Sequence, residues 1–202
     1  MIKVYGGVYS RACMVMCTLE TLGLEYEHIA MMPRSEPTQS ADYLALNPTG
    51  KLPTLVDGDL VLWESQAILF YLARKYGAGL LWVDTLEQEA DLYRWSLYIS
   101  NQLEVPALAL LLAVKYAQGE PDQQVIDAQA LLLKRFLPTL ESHLQGKDYL
   151  VGDKLTVADF HGAAVLAWPK MAGFDYSAYP AVVRWIEHIQ GLPVQQKVMQ
   201  RA

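Results

Sequence analysis

Asn47-Pro-Thr-Gly-Lys-Leu-Pro-Thr-Leu-Val56, followed by Glu64-Ser65 at the head of an apolar helix, is the stretch that decides the fold. Pro48 and Gly50 make a turn, and Leu52 to Val56 is a short β-type run with Pro53 near its start. Asp57-Gly58 is a hairpin signal, and Leu60 to Leu62 supplies the return strand. Ser65 stands where an N-cap belongs, ahead of Ile68, Leu69, Leu72, Ala73 and Tyr76 at helical spacing. A proline at the head of a strand has no N–H for the ladder, which leaves the Leu52 backbone with open hydrogen-bonding capacity. The positive end of a helix beside it favours a carboxylate. An open backbone edge next to a helix N-terminus suits an extended acidic peptide.

Outward from this unit, the first half of the chain alternates. A strand over 2–5, a helix over about 11–22 and a strand over 25–29 precede a loop holding Pro33 and Pro37 and a short helix over about 40–46. A βαβ followed by ββα predicts a small mixed sheet with helices on both faces. Gly77-Ala-Gly79 ends the helix after Ser65 in the C′ manner, and Leu80 to Asp84 is a linker. From Thr85 onward the pattern is helical: Glu87 to Tyr116, kinked near Pro106, then Asp122 to Leu144, Thr156 to about Ala172, Ala181 to Gln190 and Val194 to Arg201. The expected domains are therefore 1–79, α/β, and 85–202, all-α. Thr156 and Asp159 have the spacing of a capping box with Asp in place of Glu, and Leu155 and Phe160 are placed as its hydrophobic staple. That motif reads as structural.

A chain of 202 residues, 52% hydrophobic, can bury a substantial core. No run reaches the roughly 20 apolar residues of a membrane span; the longest, Val105 to Val114, is broken by Pro106. A net charge of −6 argues against nucleic acid as a partner, while Lys51 and Arg11 are placed to give an anion local positive charge. The chain opens on Ile2-Lys-Val-Tyr5, without a secretory leader. Cys13 and Cys17, four apart on one helix, have poor disulfide geometry, so a reducing cytoplasm is the expected compartment. His28, His143, His161 and His188 are scattered without ligand spacing, so no metal site is expected.

Three ordered motifs together resemble the cytosolic glutathione transferase family, and the likeness covers nearly the whole chain. The first is strand, loop and helix, Ile2-Lys-Val-Tyr5, Gly6 to Ser10, and Arg11 through Leu19-Glu-Thr-Leu-Gly23. The second is Asn47-Pro-Thr-Gly-Lys-Leu-Pro-Thr-Leu55 with Glu64-Ser65. The third is Gly152-Asp-Lys-Leu-Thr156-Val-Ala-Asp159. The resemblance implies a thioredoxin-like N-terminal domain, an all-α C-terminal domain and a homodimer. It also implies reduced glutathione as co-substrate, added to small hydrophobic electrophiles. A glutathione-dependent isomerase, dehalogenase or peroxidase uses the same thiolate, and a non-catalytic binding or regulatory protein is the reading from another class.

On that resemblance each part of glutathione has a partner. Ser65 takes the γ-glutamyl carboxylate and Glu64 the ammonium. The backbone of Leu52, turned outward by a cis Leu52–Pro53 bond, pairs with the cysteinyl main chain, and Lys51 takes the glycyl carboxylate. Taken singly, each residue also fits a surface hairpin with a serine cap and a solvated lysine. The thiol-activating group follows the first strand, where Tyr5, Tyr9, Ser10 and Cys13 are the candidates; Tyr5 lies in the strand and reads as core packing, which leaves Ser10 and Tyr9 ahead. Ser10 is preferred from the Tyr9-Ser10-Arg11-Ala12 junction, although a serine there also serves as an N-cap of the helix. Ala12 stands where many bacterial members have a second serine. Cys13 falls one turn inside the helix and reads as a small apolar residue. Trp95, Asn101, Gln102 and Tyr116 are candidates for an acceptor pocket. Phe70, Tyr93 and Leu97 exceed what one core requires and mark the expected two-fold interface.

Overall fold

The computed structural model describes residues 1–201; Ala202, the last residue of the expected second domain, lies outside the described residues. The chain divides into two compact units, one of Met1–Trp82 with the C-terminal stretch from Gly191, the other of Val83–Gln190.

In the first unit β1 (Ile2–Tyr5), β2 (Tyr26–Ile29), β3 (Thr54–Asp57) and β4 (Leu60–Trp63) form a sheet of order β2-β1-β3-β4. The β1–β2 pair is parallel and the other two are antiparallel. A parallel pair needs a crossover, and α1 (Ala12–Thr21) supplies it. A 3₁₀ turn, Glu36–Gln39, leads to α2 (Ala41–Leu46), whose N-cap Ser40 accepts the Tyr43 N–H at 3.2 Å. The hairpin feeds α3 (Ser65–Tyr76), which packs on α1. Val4, Leu55, Met14, Val15, Ile68 and Leu72 are buried between sheet and helices. Where the hairpin meets α3, Asp57 accepts from Tyr71 and Tyr76 hydroxyls and from Lys75 at 2.6–2.8 Å. Burial alone would raise its carboxyl, but these donors bring it down to about 2.

Four expectations shift here. The strand expected over Leu52 to Val56 begins at Thr54, because Pro53 has no N–H for the ladder and the Leu52–Pro53 bond is cis, as the resemblance required. Ser65 is the first helical residue of α3, and the N-cap is Glu64, held at φ 72° without a side-chain cap. At the far end of α3 the left-handed residues are Ala78 and Gly79; Gly77 stays right-handed. The presumed linker is partly core, since Leu81 and Trp82 are buried and Trp82 stacks edge-on against Phe70 at 5.7 Å.

The last helix, α9 (Pro193–Met199), belongs with the first unit rather than the second. It packs on α1 because Lys197 and Arg201 both reach Glu20 at 2.6 Å, and Gln195 offers its amide oxygen to the Cys17 thiol at 3.0 Å. The expected boundary of 85–202 thus gives up its final helix.

The second unit is helical: α4 (Leu86–Tyr98), a π segment (Ile99–Glu104), α5 (Val105–Lys115), α6 (Gln123–Leu144), α7 (Val157–Met171) and α8 (Pro180–Gln190). The kink expected at Pro106 is a π segment just ahead of it. Proline donates no N–H to the turn before it, and the wider i→i+5 register accommodates the loss. By length and composition the run Leu86–Lys115 passes for a membrane span, contrary to expectation. Part of that apolar character is core: Leu103, Ala107, Leu110 and Leu111 are buried, and α5 packs on α6 and α7. At the head of α7 the capping box of Thr156 and Asp159 forms, with Phe160 buried at the staple position.

Candidate functional site

Strand register assembles the site. Tyr5 pairs with Thr54, and Thr54 with Trp63. The loop after β1, the cis-proline turn before β3 and the chain leaving β4 therefore emerge side by side from one end of the sheet. Ser10, Leu52-Pro53 and Glu64-Ser65 are brought together by three strands, although they are far apart in sequence.

The turn is rigid because its polar groups are tied. Asn47 is buried and donates from Nδ2 to the Lys51 carbonyl at 2.9 Å and to Thr54 Oγ1 at 3.0 Å, while its Oδ1 accepts from the Thr49 N–H and hydroxyl. The Tyr43 hydroxyl donates to the Lys51 carbonyl at 2.6 Å and lies 2.8 Å from Thr54 Oγ1. Tyr43 and Thr54 were missed by sequence reasoning. Thr54 left a signal, a hydroxyl inside an apolar strand run; Tyr43, on a helix too short to show a period, left none. The Lys51 side chain stays exposed.

Ser10 sits in the loop before α1. Its hydroxyl donates to the Gly7 carbonyl at 2.8 Å and accepts the Ala12 N–H at 3.1 Å. The two roles set against each other in the sequence are compatible on one oxygen. The helix-start bond uses a lone pair, and the proton is a separate resource that turns with the O–H bond. Tyr9, 66% exposed, points its ring into solvent. Gly6 makes the close packing here possible. At φ 135° it has no room for a side chain, since a Cβ would lie 2.6 Å from Ala12 Cβ, 3.1 Å from Ser10 Oγ and 3.5 Å from Leu52 Cβ.

At the third element, Ser65 is buried and begins α3, and Ile68 N–H makes the first intrahelical bond back to Glu64 O at 3.1 Å. A helix start leaves its first N–H groups without intrahelical partners, and Ser65 offers one of them with its hydroxyl. Glu64 is exposed, in a backbone conformation uncommon for a non-glycine residue. Cys13 and Cys17 are buried beneath α9; the Cys17 thiol is pushed up by its hydrogen bond with Cys13 and by burial. Neither is placed for thiol exchange. Among the described residues no group of His, Cys, Asp or Glu could hold a metal ion.

The acceptor candidates do not converge. Trp95 is 5% exposed, stacked on His143 with ring centroids 4.0 Å apart and set edge-on to Tyr98 at 5.6 Å, so it is core of the helical unit rather than a pocket wall. An aromatic on the inner stripe of a helix packs inward. Asn101 is exposed and Gln102 half-buried on the π segment. Tyr116 is exposed just past the far end of the 11-residue α5, roughly 20 Å along the axis from Gln102 at 1.5 Å per residue.

A four-stranded sheet with this order, crossed by α1 and carrying a cis-proline turn beside the first helix, defines a thioredoxin-like domain, here with a helical second unit. Family models place the chain more closely. The glutathione S-transferase N-terminal domain matches residues 1–74 and the C-terminal domain residues 92–193. Glutathione S-transferase 4 of Zea mays is 33% identical over 207 residues, covering 98% of this chain and 92% of that protein. Glutathione S-transferase GstB of Escherichia coli K12 is 32% identical over 188 residues, covering 92% and 90%. The solved structure of a glutathione S-transferase-I bound with lactoylglutathione matches with a TM-score of 0.87 and 32% identity, covering 100% of this chain and 99% of that one. The chain belongs to the glutathione S-transferase family.

Proposed function

We propose that this protein is a glutathione transferase, adding the sulfur of reduced glutathione to hydrophobic electrophiles. The observation that carries the reading is the row Tyr5–Thr54–Trp63, which gathers the Ser10 hydroxyl, the cis Leu52–Pro53 turn and the start of α3 at one end of the sheet. In this reading Ser65 receives the γ-glutamyl carboxylate, Glu64 the ammonium, Leu52 the cysteinyl main chain and Lys51 the glycyl carboxylate. The ends of the peptide so fixed leave its thiol beside Ser10. A free thiol, with a pKa near 8.5, is mostly protonated at neutral pH. A hydroxyl donated to the sulfur, at the positive end of α1, favours the thiolate and releases the proton to solvent. The thiolate then forms the C–S bond, and with an aryl halide the halide leaves with the electron pair of the bond it breaks.

Asn101, Gln102 and Tyr116 are the remaining acceptor-side candidates, and the cytoplasm, where reduced glutathione abounds, is the fitting compartment. The protein acts as a homodimer in this reading. Tyr93 and Leu97, four residues apart on one face of α4, are 38% and 55% exposed and would be covered in such a dimer. Phe70 contributes less, being already covered by Trp82.

Millimolar reduced glutathione should raise the melting temperature, and turnover should appear with an aryl-halide electrophile. No shift and no calorimetric heat would sink the reading. Binding without turnover across electrophiles, hydroperoxides and isomerisable substrates would favour a binding protein instead. Light scattering at micromolar protein checks the dimer.

A further inference from the structure

We propose that His28 is a positioning residue for the thiol chemistry: through the Gly6 carbonyl it fixes the loop that carries the Ser10 hydroxyl. The proposal rests on the reading of Ser10 as the group that donates to the glutathione sulfur.

His28 lies on β2, opposite Val4, and its Nε2 is 2.6 Å from the Gly6 carbonyl oxygen. A carbonyl only accepts, so Nε2 carries the proton in this contact whatever the charge of the ring. The next residue, Ile29, accepts the Gly6 N–H at 3.0 Å. Both polar groups of Gly6 are thus held by consecutive residues of β2, one by main chain and one by a side chain.

That anchorage matters because of what converges on Gly6. Ser10 Oγ, Ala12 Cβ and Leu52 Cβ all crowd the place where a Gly6 Cβ would stand. The following carbonyl, Gly7, is the one that accepts the Ser10 proton. A shift of the Gly6–Gly7 peptide therefore moves the hydroxyl's present acceptor with it. The alternating burial of β1 and the half-buried face of β2 ask only for a residue of moderate size at position 28. A β-branched aliphatic side chain would satisfy the strand and would leave the Gly6 carbonyl without this donor. The imidazole is the feature that strand formation does not require.

The test compares His28→Leu with His28→Gln, whose amide donates at similar reach, each alone and combined with Ser10→Ala. Turnover with a fixed aryl-halide electrophile and the ultraviolet titration of bound glutathione to its thiolate are both read. His28→Leu should lower kcat about tenfold, a loss in keeping with a misplacement well under 1 Å, and move the thiolate titration to higher pH. KM for glutathione should stay within about twofold, because its end-binding groups are untouched. His28→Gln should recover most of the rate, and in the Ser10→Ala background His28→Leu should cost nothing further. A His28→Leu enzyme with unchanged kcat and titration overturns the proposal, as does a full additional loss on Ser10→Ala or a failure of glutamine to rescue a folded variant. If Ser10→Ala is itself fully active, the Ser10 reading falls and takes this one with it. That outcome is distinct from an inactive Ser10→Ala beside an active His28→Leu, which removes His28 alone.

Discussion

Two polar knots in this molecule use the same devices to opposite ends. In the helical unit the Asp159 carboxylate, fully buried, accepts the Leu150 N–H at 2.8 Å, the Thr156 N–H and hydroxyl at 2.8 Å each, and the Trp185 indole N–H at 3.0 Å. Burial pushes its carboxyl up and the four donors oppose that push. In the α/β unit the Ser10 hydroxyl has one accepted and one donated bond, in a loop that is only partly buried. The knot at Asp159 closes on itself, so nothing remains for a ligand. The knot at Ser10 holds its oxygen in place with one bond and keeps its proton on a carbonyl that a better acceptor can replace. Both groups are satisfied within the fold; in the proposed reading they differ in that Ser10 can exchange its one acceptor for a ligand, whereas Asp159 has four donors and none to spare.

The contrast breaks first at Asp159 if it is wrong. Asp159→Ala strips a partner from several buried donors at once, and each buried donor left unpaired costs about 1–3 kcal/mol. The expected loss is on the order of 4 kcal/mol, which falls in the exceptional class for one substitution. Urea unfolding should show it as a lower midpoint or as a failure to accumulate folded protein. Glutathione affinity of the folded fraction should be unchanged. A variant of normal stability with altered glutathione binding would reverse the roles assigned to the two knots.

At the start of α3 the effect is smaller and of the other kind. In the proposed reading Ser65→Ala removes the hydrogen bond to the γ-glutamyl carboxylate, worth roughly 1.5–3 kcal/mol for a charged partner, so the glutathione dissociation constant should rise more than about tenfold by calorimetry. Lys51→Ala should weaken binding less, since the lysine is exposed and its interaction is screened by solvent. Because Glu64 rather than Ser65 is the N-cap, Ser65→Ala should leave the unliganded melting temperature nearly unchanged. A large drop there would mean that the serine serves the fold after all.

What was legible in sequence tracks how local the determinant is. The hairpin, the capping box at Thr156 and the helical second half follow from spacing within a few residues. The three pieces of the candidate site were legible as motifs because each is a short run. Their meeting at one end of the sheet depends on register, which no local pattern carries. Trp95 misled because helical periodicity tells which residues share a stripe and not what that stripe faces. The return of α9 to the first unit rests on Glu20, Lys197 and Arg201, charged residues of a kind that usually lies on a solvated surface. His28 and Tyr43 were invisible for the same reason: their partners are backbone carbonyls of remote turns.

A smaller effect than that of Asp159→Ala is the sharpest test of the comparison. Ser10→Ala takes away the exchangeable donor and leaves the loop's backbone bonds, Ser10 N–H to Gly7 O and Cys13 N–H to Ser10 O, in place. Turnover with an aryl halide should fall about tenfold, on the order of 1.4 kcal/mol. Glutathione affinity should hold, because the lost interaction strengthens only as the thiolate forms. Ser10→Ala also gives up the bond from the Ala12 N–H, so some loss of melting temperature is expected, well below that of Asp159→Ala. Tyr9→Phe is the rival arm. It removes one hydroxyl from a ring that is already in solvent and should be silent in both rate and stability. A dead Tyr9→Phe beside an active Ser10→Ala moves the activating group by one residue. Activity in both moves it to the backbone N–H groups at the start of α1, where the helix dipole would act without a hydroxyl. In that case the open knot would be open in its main chain, and the side-chain hydroxyl would be a cap like the one on Thr156.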